Sequence, residues 1–169
     1  RIVFGLGSSS ATMIDNWYGV PFEKPLTRVR ETITVLRQML TGERTTFEGE
    51  TIRARNFRLG VTLQGDLPIF VAGLRSKMLE LAGELADGVV FNLCPAEVRP
   101  QMLEHIDTGA KRVGRRVDDL EITSLLNVFV THDEDAAVQT MNRVALGYYS
   151  AGVYNKYLTA MGYADEATP

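Results

Sequence analysis

The chain has 169 residues, of which 18 are Lys or Arg and 21 are Asp or Glu, giving a formal net charge of −3. Its 45% hydrophobic and 23% charged residues exclude a disordered chain, and the slight acidity argues against a nucleic-acid binder. No apolar run reaches the ~18 residues of a membrane span, and the lone Cys94 cannot form an internal disulfide, so a cytoplasmic globular protein is expected.

The length fits about one domain, at ~150 residues per domain. The chain opens on Arg1-Ile2-Val3-Phe4, which already reads as a strand, with no Met and no polar leader. The expectation is that the start of the protein lies upstream.

Residues 1–6 are β-rich and stop at Gly5-Leu6-Gly7-Ser8-Ser9-Ser10. Small residues at a strand end mark a turn whose backbone can approach a ligand. Residues 11–24 carry the only tryptophan, Trp17, and read as an ordered loop with a helical turn. Pro25 suits a first helical position. Leu26, Val29, Ile33, Leu36 and Leu40 then form one apolar helical face that stops at Gly42. A small hairpin is expected over about 44–58, around Glu48-Gly49.

Residues 67–72 form a buried strand, and Gly73-Leu74-Arg75-Ser76 leads into a helix with Ser76 as candidate N-cap. Met78, Leu81, Ala82 and Leu85 give that helix its apolar face, and Asp87-Gly88 ends it. Residues 89–93 are the next strand. Val98, Met102, Ile106, Ala110 and Val113 mark a further helix that stops at Gly114. Residues 120–130 read as a strand, Thr131 and Glu134 as a capping box, and residues 133–149 and 154–161 as helices. Apolar strands that alternate with helices imply an α/β fold with a parallel sheet.

Two loops carry candidate chemistry. The turn with Ser8, Ser9 and Ser10 can offer N–H groups and hydroxyls to a phosphate, or it can be a plain strand-to-loop turn. It lacks the third glycine of the dinucleotide fingerprint. Gly73, Leu74, Arg75 and Ser76 combine a helix N-terminus with a cation, which suits a phosphate or carboxylate. The bland alternative is an exposed arginine beside an ordinary cap. His105 and His132 lie far apart and read as structural, Cys94 reads as a small buried residue, and no metal site is expected.

Trp17-x-Gly19-Val20-Pro21, Pro25-Leu26-x-Arg28-x-Arg30-Glu31 and Leu81-Ala82-Gly83-Glu84-x-Ala86-Asp87-Gly88 occur in that order. With them the chain resembles the bacterial luciferase-like monooxygenase superfamily over about residues 1–165, closest to its actinobacterial deazaflavin-using branch. The resemblance implies a partial TIM (β/α)₈ barrel, about the fourth to seventh βα units, in one domain spanning residues 1–169. A whole barrel needs ~250 residues, so a fragment is expected.

The resemblance also implies an oxidoreductase that uses coenzyme F420 for hydride transfer, or reduced FMN for monooxygenation, on a small-molecule substrate. It places the coenzyme against Ser8, Ser9 and Ser10 and its phosphate region against Gly73, Leu74, Arg75 and Ser76. Several deazaflavin relatives carry an acidic residue near Ser10 and an asparagine near Met13, and this sequence departs at both. The family's catalytic Asp or His lies on the second strand and its non-prolyl cis peptide on the third, so the catalytic residues are unknown here. The second reading is a non-catalytic half-barrel that binds an anionic ligand or a partner subunit. Four strands leave open edges and an inner face, expected to carry Val3, Ile69, Val71, Val89, Phe91 and Leu126. A homodimer or a complementing barrel half is the expected partner.

Overall fold

Short runs of β-branched and aromatic residues alternate with amphipathic stretches, the pattern of strands alternating with helices. The structure is a computed structural model that describes residues 2–149 and 152–163. The chain forms two compact units, Arg1–Leu125 and Leu126–Pro169.

In the first unit, β1 (Phe4–Leu6) is followed by a π-helical turn (Thr12–Trp17) and α1 (Pro25–Leu40). The hairpin β2 (Thr45–Glu48) and β3 (Arg53–Phe57) comes next, antiparallel. Then come β4 (Ile69–Ala72), α2 (Ser76–Leu85), β5 (Gly88–Asn92), α3 (Arg99–Lys111) and β6 (Glu121–Leu125). The core sheet runs β1-β4-β5-β6 and is parallel throughout. Its register aligns Leu6 with Val71, Val71 with Val89, and Val89 with Ile122.

Ile69, Val71, Val89 and Phe91 are fully buried, and α2 packs on β4 and β5. Burying a side chain of this size stabilises by about 1.5–3 kcal/mol. At the opposite parity Phe70 is buried as well, whereas Ala72 and Leu125 are exposed. Val3 and Leu126 lie outside the strands and are also exposed.

Other expectations shift. α1 buries Val29, Ile33 and Val35, while Leu26 is exposed and Leu36 and Leu40 are half-buried. This helix packs against both α2 and β2, so its buried surface is wider than one stripe. The strand expected over 120–130 ends at Leu125, level with Asn92, the last residue of its partner β5. Gly88 does not terminate a helix but opens β5, where a Cβ would lie 2.6 Å from the Glu121 carbonyl oxygen.

The second unit contains α4 (Glu134–Tyr149) and α5 (Gly152–Ala160). Tyr148 and Tyr154 meet edge to face at 4.7 Å between ring centroids. The capping box expected from Thr131 and Glu134 is replaced by a different cap. The Asp133 carboxylate accepts the Ala136 N–H at 2.9 Å, and the Thr131 hydroxyl accepts the Asp133 N–H at 3.0 Å. Asp133 is the shorter acceptor already in place at the cap, so Thr131 props it instead. Among the described residues, no helix is long and apolar enough to cross a membrane.

Candidate functional site

Parallel strands deliver their following loops to one end of the sheet. β1 and β4 are neighbours, so residues 7–10 and 73–76 leave the sheet side by side. A Cβ on Gly7 would lie 3.5 Å from the Cβ of Ala72, which shows how closely the two exits run.

The first exit is a tight turn. Ser9 holds φ at +59°, a conformation uncommon for a residue with a Cβ. The Ser9 hydroxyl donates to the Met13 sulfur at 3.4 Å. The Ser10 hydroxyl accepts the Met13 N–H at 3.4 Å, and its carbonyl accepts the Ile14 N–H at 3.0 Å. These bonds tie the serine turn to the π-helical turn behind it.

The second exit opens α2. Gly73 is buried, and a Cβ there would meet Met78 Cγ at 3.0 Å. Glycine therefore lets the loop lie flat on the first turn of the helix. Arg75, not Ser76, is the N-cap residue: its carbonyl accepts the N–H groups of Met78 and Leu79, both at 3.0 Å. Ser76 is the first helical residue, so its expected capping role is corrected. With Arg75 extended at φ −109° and ψ 151°, the helix starts one residue earlier than serine capping requires. The Arg75 side chain is exposed and forms no ion pair among the described residues. An unpaired guanidinium beside the positive end of a helix is a receptor for an anion.

A third exit at the same end was not legible in the sequence. Leu93, directly after β5, holds φ at +51°. No glycine marks that bend, so no residue pattern announces it. Two of the four non-glycine residues with positive φ among the described residues, Ser9 and Leu93, thus follow core strands at this end. Strain of this kind gathers at ligand sites. Cys94 follows, with its sulfur 3.4 Å from that of Met102, and burial pushes the thiol up from its ordinary value. Cys94 is half-buried rather than fully buried as expected.

Two clefts lie elsewhere. One of about 270 Å³ is lined by Leu26, Thr27, Arg30, Lys77, Glu80 and Arg112. In it Lys77 and Arg112 both bond to Glu80, and the Arg112 bond first, then that of Lys77, holds this carboxyl below the usual range. The other, of about 330 Å³, lies at the base of the hairpin, lined by Gly42 and residues 58–62. Neither contains a residue expected at the coenzyme.

The sequence profile of luciferase-like monooxygenases matches residues 1–168. The chain belongs to the luciferase-like monooxygenase family. It is 29% identical over 167 residues to 5,10-methylenetetrahydromethanopterin reductase of Archaeoglobus fulgidus, covering 99% of this chain and 49% of that protein. It is 32% identical over 156 residues to a putative coenzyme F420-dependent oxidoreductase of Mycobacterium tuberculosis, covering 81% of this chain and 44% of that one. The solved coenzyme F420-dependent tetrahydromethanopterin reductase of Methanopyrus kandleri superposes with a TM-score of 0.71 at 27% identity, over 80% of this chain and 43% of that one. The chain thus spans about half the length of the curated relatives it matches. The parallel sheet and its helices are part of the barrel architecture of that family.

Proposed function

We propose that this protein is an oxidoreductase that uses coenzyme F420, with residues 7–10 and 73–76 forming one side of the coenzyme site. The observation that carries the reading is the shared exit of β1 and β4, with the exposed, unpaired Arg75 at the head of α2. The similarity to coenzyme F420-dependent enzymes supports it.

The donor set suits the anionic end of such a coenzyme. Arg75 would bind its phosphate through two N–H groups, aided by the first-turn N–H groups of α2. The hydroxyls of Ser8, Ser9 and Ser10 would hydrogen-bond its polar atoms. Gly73 lets the loop lie close on the first turn of α2, where a Cβ would meet Met78 and Leu79. When bound, the coenzyme supplies hydride transfer, and the chain's residues hold and orient it. The substrate is then a small molecule. The edge strands β1 and β6 would be continued by further strands of the barrel, from the same polypeptide or a second copy.

The test is a titration of the full chain with coenzyme F420, followed by the coenzyme's own fluorescence. Saturable binding that weakens in Arg75→Ala is the expected result. Absence of saturable binding overturns the reading and leaves a non-catalytic half-barrel.

A further inference from the structure

The serine turn at residues 8–10 leans on the segment behind it. Ser9 sits at φ +59°, and a residue with a Cβ keeps such a conformation only where its surroundings fix it. Those surroundings are the π-helical turn Thr12–Trp17, whose Met13 and Ile14 donate their N–H groups to the Ser10 hydroxyl and carbonyl. The order of the serine turn therefore depends on what orders residues 12–17.

A side chain ties that π-helical turn off. The Asp15 carboxylate accepts the Phe22 N–H, seven residues on, at 2.6 Å. Within this loop the Asp15 carbonyl accepts the Gly19 N–H at 3.1 Å, and the Ile14 carbonyl accepts the Val20 N–H at 3.2 Å. Gly19 takes φ +65°, which lets the chain double back inside the loop. Two residues beyond Phe22, Lys24 is the N-cap of α1. Its carbonyl accepts the Arg28 N–H at 2.9 Å, and its ammonium pairs with Glu50 in the hairpin. Asp15 thus ties the π-helical turn to a segment anchored on α1.

We infer that Asp15 is a positioning residue for the coenzyme site. By closing the loop from 15 to 22, its carboxylate keeps Ser8, Ser9 and Ser10 in the conformation that meets the coenzyme. The inference rests on the proposed coenzyme site at residues 7–10. A negative charge behind that site would by itself weaken an anionic coenzyme. What Asp15 contributes is therefore its acceptor oxygen, and the carboxylate is the stronger form of that acceptor. The acceptor and the charge act with opposite signs, so substitution separates them.

Wild-type protein, Asp15→Ala and Asp15→Asn are titrated with coenzyme F420, followed by its fluorescence. Asp15→Ala is expected to raise the dissociation constant about fivefold, for the loss of one exposed bond to a charged acceptor. Asp15→Asn keeps an oxygen for the Phe22 N–H and should stay within about twofold of wild type. The unfolding midpoint stays unchanged in both, because the bond lies outside the core sheet. In the free protein, exchange protection of the Ile14 amide falls in Asp15→Ala and is kept in Asp15→Asn, with the amides of β4 and β5 unaffected. Unchanged or tighter coenzyme binding by Asp15→Ala overturns the inference and leaves Asp15 a surface charge. Equal weakening in both variants overturns it as well, since the charge and not the acceptor then matters. A lowered midpoint in Asp15→Ala overturns it by making the bond part of the fold. Failure of wild-type protein to bind the coenzyme overturns the proposed function instead. The Ile14 exchange of free protein then decides alone whether Asp15 orders the serine turn, and unaltered protection in Asp15→Ala shows that it does not.

Discussion

The carboxylate of Glu31, on α1, accepts the hydroxyl of Thr51 at 2.6 Å and its N–H at 2.7 Å, in the turn of the hairpin. The N–H groups of Glu50 and Ile52 complete the clamp at 2.6 and 2.9 Å. The Thr51 hydroxyl, then these backbone N–H groups, hold the Glu31 carboxyl down to about 2. The space is closed as well, because a Cβ on Gly49 would stand 2.5 Å from the Glu31 carboxyl carbon.

The hairpin should therefore loosen in acid. The folded carboxyl titrates below its unfolded value of 4.5, so its stabilisation is complete above that pH. It is lost as pH falls from there through about 2. Protection of the amides of residues 49–57, taken against their intrinsic exchange rate at each pH, should fall over this window in wild type. In Glu31→Gln it should already be low at neutral pH, with the core sheet amides unaffected. Slow hairpin exchange in Glu31→Gln would show that the turn holds itself.

The residues that made the family legible in the sequence prove to hold the fold. Arg30 reaches Glu84 with two N–H groups, one at 2.7 Å, and joins α1 to α2. Glu31 clamps the hairpin, and Asp87 ties α1 to the sheet. The helices were readable because their 3.6-residue period, the start at Pro25 and the stops at Gly42 and Gly114 are local features. The ends of the parallel strands were not, since Leu125 stops where its partner does. Which parity of a strand faces the helices was equally hidden, because both parities are apolar in a parallel sheet. Of the candidate site, the exits at Ser8 and Gly73 were marked by small residues, whereas the bend at Leu93 had no such signal.

Asp87 is the next point of test. Its carboxylate accepts the Ile69 N–H at 2.8 Å and pairs with Arg37 at 3.0 Å. Its own N–H and carbonyl bond to Ile69 and Glu121 at 2.9 and 3.0 Å. Asp87→Ala leaves the Ile69 N–H, at the buried start of β4, without its acceptor. An unsatisfied buried donor costs about 1–3 kcal/mol, more than a surface ion pair is worth. Denaturant unfolding should show a loss in that range. A loss under ~0.5 kcal/mol would mean that water replaces the carboxylate there.

Two glycines set the crossing of α2 and α3. A Cβ on Gly83 would lie 2.0 Å from the Ile106 carbonyl oxygen, and one on Gly109 1.7 Å from that of Glu80. Alanine would gain about 1 kcal/mol of helix propensity at either position. The clash is with backbone and cannot be relieved by a rotamer change, so separating the helices costs more than this, about 1–3 kcal/mol or above. Gly83→Ala and Gly109→Ala should each lower the unfolding midpoint. The double variant should lose less than the sum, because one displacement of the helices relieves both contacts. A stabilised single variant would mean that the helices do not approach this closely.

Arg75 separates binding from folding. Its side chain is exposed and has no ion-pair partner among the described residues, so Arg75→Ala should leave the unfolding midpoint within ~0.5 kcal/mol of wild type. A charge-assisted contact to phosphate is worth about 1.5–3 kcal/mol, which corresponds to a coenzyme dissociation constant raised by roughly ten-fold or more. Arg75→Lys should recover part of this, since it keeps the charge but not the two-pronged geometry. Raising the salt concentration should weaken wild type towards Arg75→Ala, because an exposed pair is screened. A dissociation constant equal to that of wild type, at low salt and with the fold intact, would place the guanidinium in solvent. The anion would then be held by the α2 N–H groups and the serine turn alone.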